Sequence, residues 1–173
     1  MSPKNLNAIK IPKDLASKLS NNKINNLFKV FKKNFTIKKS FAVAVSGGPD
    51  SLALAFFTKI FATKYNLNCK YFLVDHKLRK ESTSEAQKVK KVLNNFGIKI
   101  EILSWNGKKP LSNIQSLARE KRYNLLFSKC KRLKISNLVV GHHMDDLFEN
   151  FFIRMTRGSG LKGLVSLEKK TII

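Results

Sequence analysis

The chain has 173 residues, enough for one sizeable domain and a poor fit for two. With 43% hydrophobic and 26% charged residues it has the make-up of a folded soluble protein, which excludes a disordered or fibrous chain. Lys+Arg 34 against Asp+Glu 11 leaves a formal net charge of +23, which attracts polyanions and puts nucleic acid first among possible partners. No window reaches the roughly 18 apolar residues of a membrane span, and no lipidation signal stands at either end. The stretch MSPKNLNAIKIPKDL lacks the apolar core of a secretory signal, so no membrane and a cytoplasmic setting are expected. Cys69 and Cys130 are far apart and in no CxxC pairing, which reads as two reduced, core-type thiols.

In chain order, residues 1–20 carry few apolar anchors and are expected to be loosely held. From Asn22 to Lys33 the apolar positions Ile24, Leu27, Phe28 and Phe31 fall at helical spacing. FAVAVS (41–46) reads as a buried strand, and SLALAFFTKIFATKY (51–65) as a helix too apolar for a surface. CKYFLVDH (69–76) is a second strand, and SEAQKVKKVLNNFG (84–97) a helix stopped by Gly97. IKIEILSW (98–105) is a third strand, and SNIQSLAREKRYNLLFSKCKRL (112–133) a long helix with Ser112 as N-cap. SNLVVGHH (136–143) is a fourth strand, and MDDLFENFFIRMTR (144–157) a fourth helix.

Strands alternating with helices through short polar joints are the mark of parallel βαβ units. The predicted class is therefore α/β, a Rossmann-like parallel sheet with helices on both faces. In such sheets ligands gather outside the carboxyl ends of the strands. That rule singles out 46–51, 75–80 and 141–146, all of them polar.

The first of these, SGGPDS, joins a strand to a helix. Gly47 and Gly48 permit a close backbone approach, and free N–H groups at a helix start make an anion site. Ser46 and Ser51 are candidate hydroxyl donors to phosphate oxygens, and Pro49 suits the first helical position. Asp50 has two readings, a Mg²⁺ ligand or an N-cap. A Walker loop is excluded, because GxxxxGK[ST] does not align here. RGSGLKG (157–163) contains a literal GxGxxG but follows a helix, so it fails as a dinucleotide fingerprint.

SGGPDS resembles the pyrophosphate loop of the N-type ATP pyrophosphatases, the PP-loop superfamily, whose members adenylate a substrate and release pyrophosphate. Within that superfamily VDHKLRKES (74–82), LAREKRY (117–123), GHHMDD with Glu149 (141–149) and RGSGLKGL (157–164) are similar, in order and spacing, to the tRNA(Ile)-lysidine synthetases. The resemblance spans about residues 41–167. It implies an adenine nucleotide alpha hydrolase-like fold, ATP with Mg²⁺ as cofactors, and tRNA(Ile) and L-lysine as partners. It further implies ligation of lysine to C2 of the wobble cytidine through an adenylated cytidine. The same likeness predicts a catalytic domain over 21–173, truncated at its C-terminal end. One departure is DDLFEN, in which Asn150 stands where the family has Thr, so one supporting hydrogen bond is in doubt. Two other readings stay open, a PP-loop tRNA thiolase and a non-catalytic basic RNA-binding domain. The thiolase that shares part of the pattern carries CxxC iron–sulfur ligands, and this chain has none.

The other candidate residues follow. Asp75 and His76 end the second strand beside Lys77, Arg79 and Lys80, a cluster suited to phosphates and equally to a solvated loop. Arg119 and Arg122 lie three apart on the long helix; the resemblance implies a phosphate or tRNA role there. At about 100° per residue, His142, Asp146, Glu149 and Arg157 share one stripe, whose bland reading is a solvated face. By resemblance Asp50, His142, Asp146 and Glu149 are catalytic, the last three holding lysine and the base near the α-phosphate. Arg157 and Gly158 belong to a basic turn fit to wrap the ATP phosphates.

Overall fold

The computed structural model describes residues 13–107 and 114–141. The chain divides into two units, Met1–Val140 and Gly141–Ile173, and every element below lies in the first. The order is α1 (Lys13–Leu19), α2 (Asn22–Asn34), β1 (Phe41–Val45), α3 (Pro49–Lys64), β2 (Cys69–Asp75), α4 (Ser82–Asn95), β3 (Ile100–Ser104), α5 (Ile114–Arg132) and β4 (Leu138–Val140). The predicted helix over 144–157 and the Ser112 cap lie outside the described residues.

The four strands form one parallel sheet in the order β3-β2-β1-β4. The first two crossovers step outward from β1 through β2 to β3, and the third returns across both to the far side of β1. Right-handed crossovers then send α3 and α4 to one face and α5 to the other. The core follows that division, because alternate strand residues point to opposite faces. Phe41, Val43 and Val45 of β1, with Tyr71 and Leu73 of β2, pack on Ala55 and Ala62 of α3 and Ala86 and Leu93 of α4. Ala42 and Phe72 face the other way, against Leu126 and Cys130 of α5 and Ile135.

α3 is apolar all round because it is covered twice. Its second side meets a cluster of Leu15, Phe28, Ile60 and Phe61, joined by rings such as Phe35 and Phe61 with centroids 4.9 Å apart. Leu15 is fully buried. Within the segment expected to be loosely held, Lys13–Leu19 form a helix whose Leu15 packs beside Phe28. A single anchor seven residues before the next helix gave no periodic signal.

α3, α4 and α5 end alike. In each, the residue after the cap is left-handed (Asn66 φ 51°, Gly97 φ 68°, Lys134 φ 54°). The next N–H then reaches back to the last turn: Leu67 to the Ala62 carbonyl at 2.8 Å, Ile98 to Leu93 at 3.0 Å and Ile135 to Cys130 at 2.9 Å. Only Gly97 was legible as a stop. For a residue with a Cβ, such as Lys134, the left-handed conformation costs about 1–2 kcal/mol.

Both cysteines are free thiols. Burial pushes the Cys69 thiol up to about 12 and raises that of Cys130 too, so neither is a thiolate at neutral pH. Among the described residues no helix is long and apolar enough to cross a membrane.

Candidate functional site: an anion cradle at the carboxyl edge of the sheet

The strand order reverses between β1 and β4, so the topological switch point, where such sheets bind ligands, lies at their carboxyl ends. The loop 46–51 leaves β1 there. Gly48 caps α3 with extended backbone (φ −72°, ψ 161°) and Pro49 takes the first helical position. No side chain caps this helix, so Asp50 is not its N-cap. Asp50 is instead an exposed carboxylate in the first turn, beside the loop.

Ser51 is buried at 2% exposure. Its Oγ donates to the Gly48 carbonyl at 2.8 Å, and accepts from the Ser46 and Gly47 N–H groups at 3.2 Å each and from Ser46 Oγ at 3.1 Å. Its proton is thus spent inside the loop. Ser51 thus acts as a staple that closes the turn, and the exposed Ser46 hydroxyl donates to it as well.

The two glycines differ. Gly47 is left-handed (φ 91°), and a Cβ there would stand 3.1 Å from Val89 Cγ2 of α4. Gly48 has ordinary dihedrals, and its Cβ would meet nothing nearer than Ser46 Oγ at 3.7 Å. The backbone therefore demands glycine at 47, whereas at 48 only the approach of a ligand would.

Asp75 ends β2, 3% exposed. Oδ1 accepts from the Lys77 N–H at 3.0 Å and Ser82 Oγ at 2.8 Å, and Oδ2 from Thr83 Oγ1 at 2.7 Å. Burial pushes this carboxyl up, but the hydrogen bonds from Thr83, Lys77 and Ser82 and the Lys77 charge outweigh it and hold it below the ordinary 3.8. This carboxylate ties the β2 exit to the start of α4, a role whose partners Ser82 and Thr83 the sequence reading left unassigned. The signal was present: two hydroxyl residues at a helix start, downstream of an acid at a strand end.

His76, half-buried beside it, has a buried Nδ1 that no described group satisfies. Burial, then the Arg122 charge, lower its pKa from 6.5, against a smaller opposing pull from Asp75. The imidazole is neutral at pH 7. Arg119 and Arg122 of α5 flank Tyr123, with guanidinium carbons 5.9 and 5.3 Å from its ring centroid. The two arginines predicted to share a face do so. The Arg122 charge acts on His76 across the site.

Structure thus brings Ser46, Gly47, Gly48, Pro49, Asp50 and Ser51 into one loop, and places Asp75 and His76 at the end of the neighbouring strand. His142, Asp146, Glu149, Arg157 and Gly158 lie outside the described residues. Among the described residues no group of His, Cys, Asp and Glu is arranged to hold a metal by itself.

A parallel doubly wound sheet, with a glycine turn feeding a helix start at its switch point, defines a phosphate-binding α/β domain. The chain matches the PP-loop domain family over residues 17–173 and belongs to it. It is 46% identical over 125 residues to the tRNA(Ile)-lysidine synthase of Orientia tsutsugamushi (strain Boryong), covering 72% of this chain and 28% of that protein. It is also 41% identical over 143 residues to the tRNA(Ile)-lysidine synthase of Rickettsia felis (strain ATCC VR-1525 / URRWXCal2), covering 83% and 32%. The chain spans under a third of the length of these curated relatives. Among solved structures, the U34-tRNA thiolase NcsA from Methanococcus maripaludis matches with a TM-score of 0.69 at 21% identity, over 80% of this chain and 51% of that one. That likeness shows the shared fold.

Proposed function

We propose that this chain is the nucleotide-binding part of a tRNA(Ile)-lysidine synthetase, which ligates lysine to C2 of the wobble cytidine of tRNA(Ile) with a CAU anticodon. The observation that carries the reading is the 46% identity over 125 residues to a protein of that name. The net charge of +23 suits an RNA substrate.

On this reading the ATP phosphates lie on the loop 46–51, held by backbone N–H groups, the start of α3 and the Ser46 hydroxyl. O2 of the cytidine attacks the α-phosphate, and pyrophosphate leaves. The neutral amine of lysine then adds at C2 and AMP departs, giving lysidine. Donors fixed around the phosphoryl group stabilise its developing charge. Asp50 fits Mg²⁺ in the way that cation is usually held, by one carboxylate together with substrate phosphates. When bound, the ion neutralises phosphate charge. Arg119, Arg157 and Gly158 serve the phosphates or the tRNA, and Asp75 and His76 border the nucleotide. His142, Asp146 and Glu149 hold lysine and the base, one acid binding the lysine ammonium or accepting its proton.

Exchange of pyrophosphate into ATP, measured with and without tRNA and lysine, tests the adenylation half. Incorporation of labelled lysine into a tRNA(Ile) transcript tests the ligation. Lysine-dependent turnover that collapses in Asp146→Ala, with the melting temperature unchanged, is the expected result. Turnover that needs sulfide in place of lysine would move the chain to the thiolases, and failure to bind ATP would make it a non-catalytic RNA-binding domain.

A further inference from the structure

The parallel sheet brings three strand entrances to its amino edge, and there the chain forms a second, strongly basic feature. An open cleft of about 540 Å³ lies between the segments that lead into β1, β2 and β4, lined by Lys38, Lys39 and Lys134 together with Ser40, Asn68 and Ser136. These segments are held together by the Phe41 N–H on the Asn68 carbonyl at 3.1 Å and the Ala42 N–H on the Asn137 carbonyl at 2.8 Å. The five residues of β1 separate this edge from the loop 46–51, about 17 Å at 3.3 Å per residue, so the two lie at opposite ends of the sheet.

Among the described residues no carboxylate lines the cleft, and their ion pairs engage other cations, Arg79, Lys121 and Lys129. Capping of helix ends accounts for basic residues in the last turns, such as Lys64 of α3 and Lys131 and Arg132 of α5. It does not account for Lys38 and Lys39, which sit in the loop before β1. Lys134 is the more telling residue. It occupies the left-handed position after α5 that glycine fills after α4, so a charged, strained residue stands where glycine would serve the fold better.

We propose that this cleft binds the phosphodiester backbone of a structured RNA, as a contact separate from the nucleotide loop; the inference rests on the reading that the chain acts on RNA. Three exposed ammonium groups on flexible stems, interleaved with hydroxyl and amide donors, match phosphate oxygens spaced along a strand. Among the described residues Leu67 is the one apolar residue lining the cleft, against the apolar face that insertion into a lipid surface requires.

Fluorescence anisotropy with a labelled tRNA(Ile) transcript, titrated at several salt concentrations, tests it, with ATP binding and thermal melts run on the same proteins. Each phosphate contact removed lowers the log–log salt slope by about 0.9. Lys38→Ala/Lys39→Ala is therefore expected to lose about 1.8 of slope and Lys134→Gly about 0.9, both with ATP affinity unchanged. Lys134→Gly is expected to melt at or above the wild-type temperature, which separates lost binding from lost folding. Steep RNA binding by the wild type that the variants retain in full overturns the cleft alone. Parallel loss of ATP binding, or displacement of RNA from the wild type but not the variants by millimolar inorganic phosphate, overturns it in favour of a small-anion site. A wild type that binds no RNA overturns the cleft and the proposed function together.

Discussion

The Ser51 hydroxyl donates to the Gly48 carbonyl at 2.8 Å, so the serine that ends the SGGPDS motif closes the loop on itself. Three donors of the same loop converge on the same oxygen. Ser51→Ala leaves the Ser46 and Gly47 N–H groups without that acceptor in a part-buried turn, at about 1–3 kcal/mol for unmet polar groups. Both the melting temperature and ATP affinity are expected to fall, because the cradle loses its shape. A variant that melts early yet binds ATP at wild-type strength would show that the loop's geometry is not what holds the phosphates.

Gly47 and Gly48 are expected to respond oppositely to alanine. Gly47→Ala forces a Cβ into a left-handed residue and against Val89, so a stability loss of about 1–2 kcal/mol follows from the backbone alone. Val89→Ala in the same chain relieves the contact but not the dihedral, so rescue is partial. Gly48→Ala meets ordinary space and leaves the melt nearly unchanged, with any effect confined to nucleotide binding. Equal melts for Gly47→Ala and Gly48→Ala would refute the assignment.

Asp75 makes stability depend on acid. Its folded pKa is lowered from 3.8, so the stabilisation is fully present above that value and is lost as pH falls through the folded one. Urea midpoints measured across the acid range are expected to drop more steeply in the wild type than in Asp75→Asn. At neutral pH, Asp75→Ala also strands the Ser82 and Thr83 hydroxyls and the Lys77 N–H, costing about 1–3 kcal/mol. A wild type and Asp75→Asn with parallel acid profiles would remove this account.

His76 titrates in the same sense through a different cause. Burial and the Arg122 charge lower its pKa from 6.5, so the unfolded chain takes up the proton first as pH falls, and the folded state loses stability from 6.5 downward through the folded value. In an NMR titration assigned with His76→Gln, the imidazole is expected to titrate below 6.5. Arg122→Gln should bring it closer to 6.5 without reaching it, since burial persists. An unchanged midpoint in Arg122→Gln would place that guanidinium too far away to matter.

The class of fold was legible because it depends on local pattern. Alternating buried runs and helical periods announced the βαβ units, and SGGPDS between a strand and a helix marked a candidate anion site. The two sides of the sheet were implicit as well, since parallel strands require helices to cover both faces. What escaped were contacts between residues distant in the chain. Leu15 in its pocket beside Phe28 and Ile60, and Val89 under Gly47, are each made by elements that only the packed sheet brings together. Ser51 shows the same division within six residues. Its identity suggested a phosphate donor, but which way a hydroxyl spends its one proton depends on the acceptor the folded turn presents, and that acceptor is the Gly48 carbonyl. The basic amino edge is a further case: Lys38, Lys39 and Lys134 are ordinary surface lysines along the chain. They form one cleft only because parallel strands all enter the sheet from the same side.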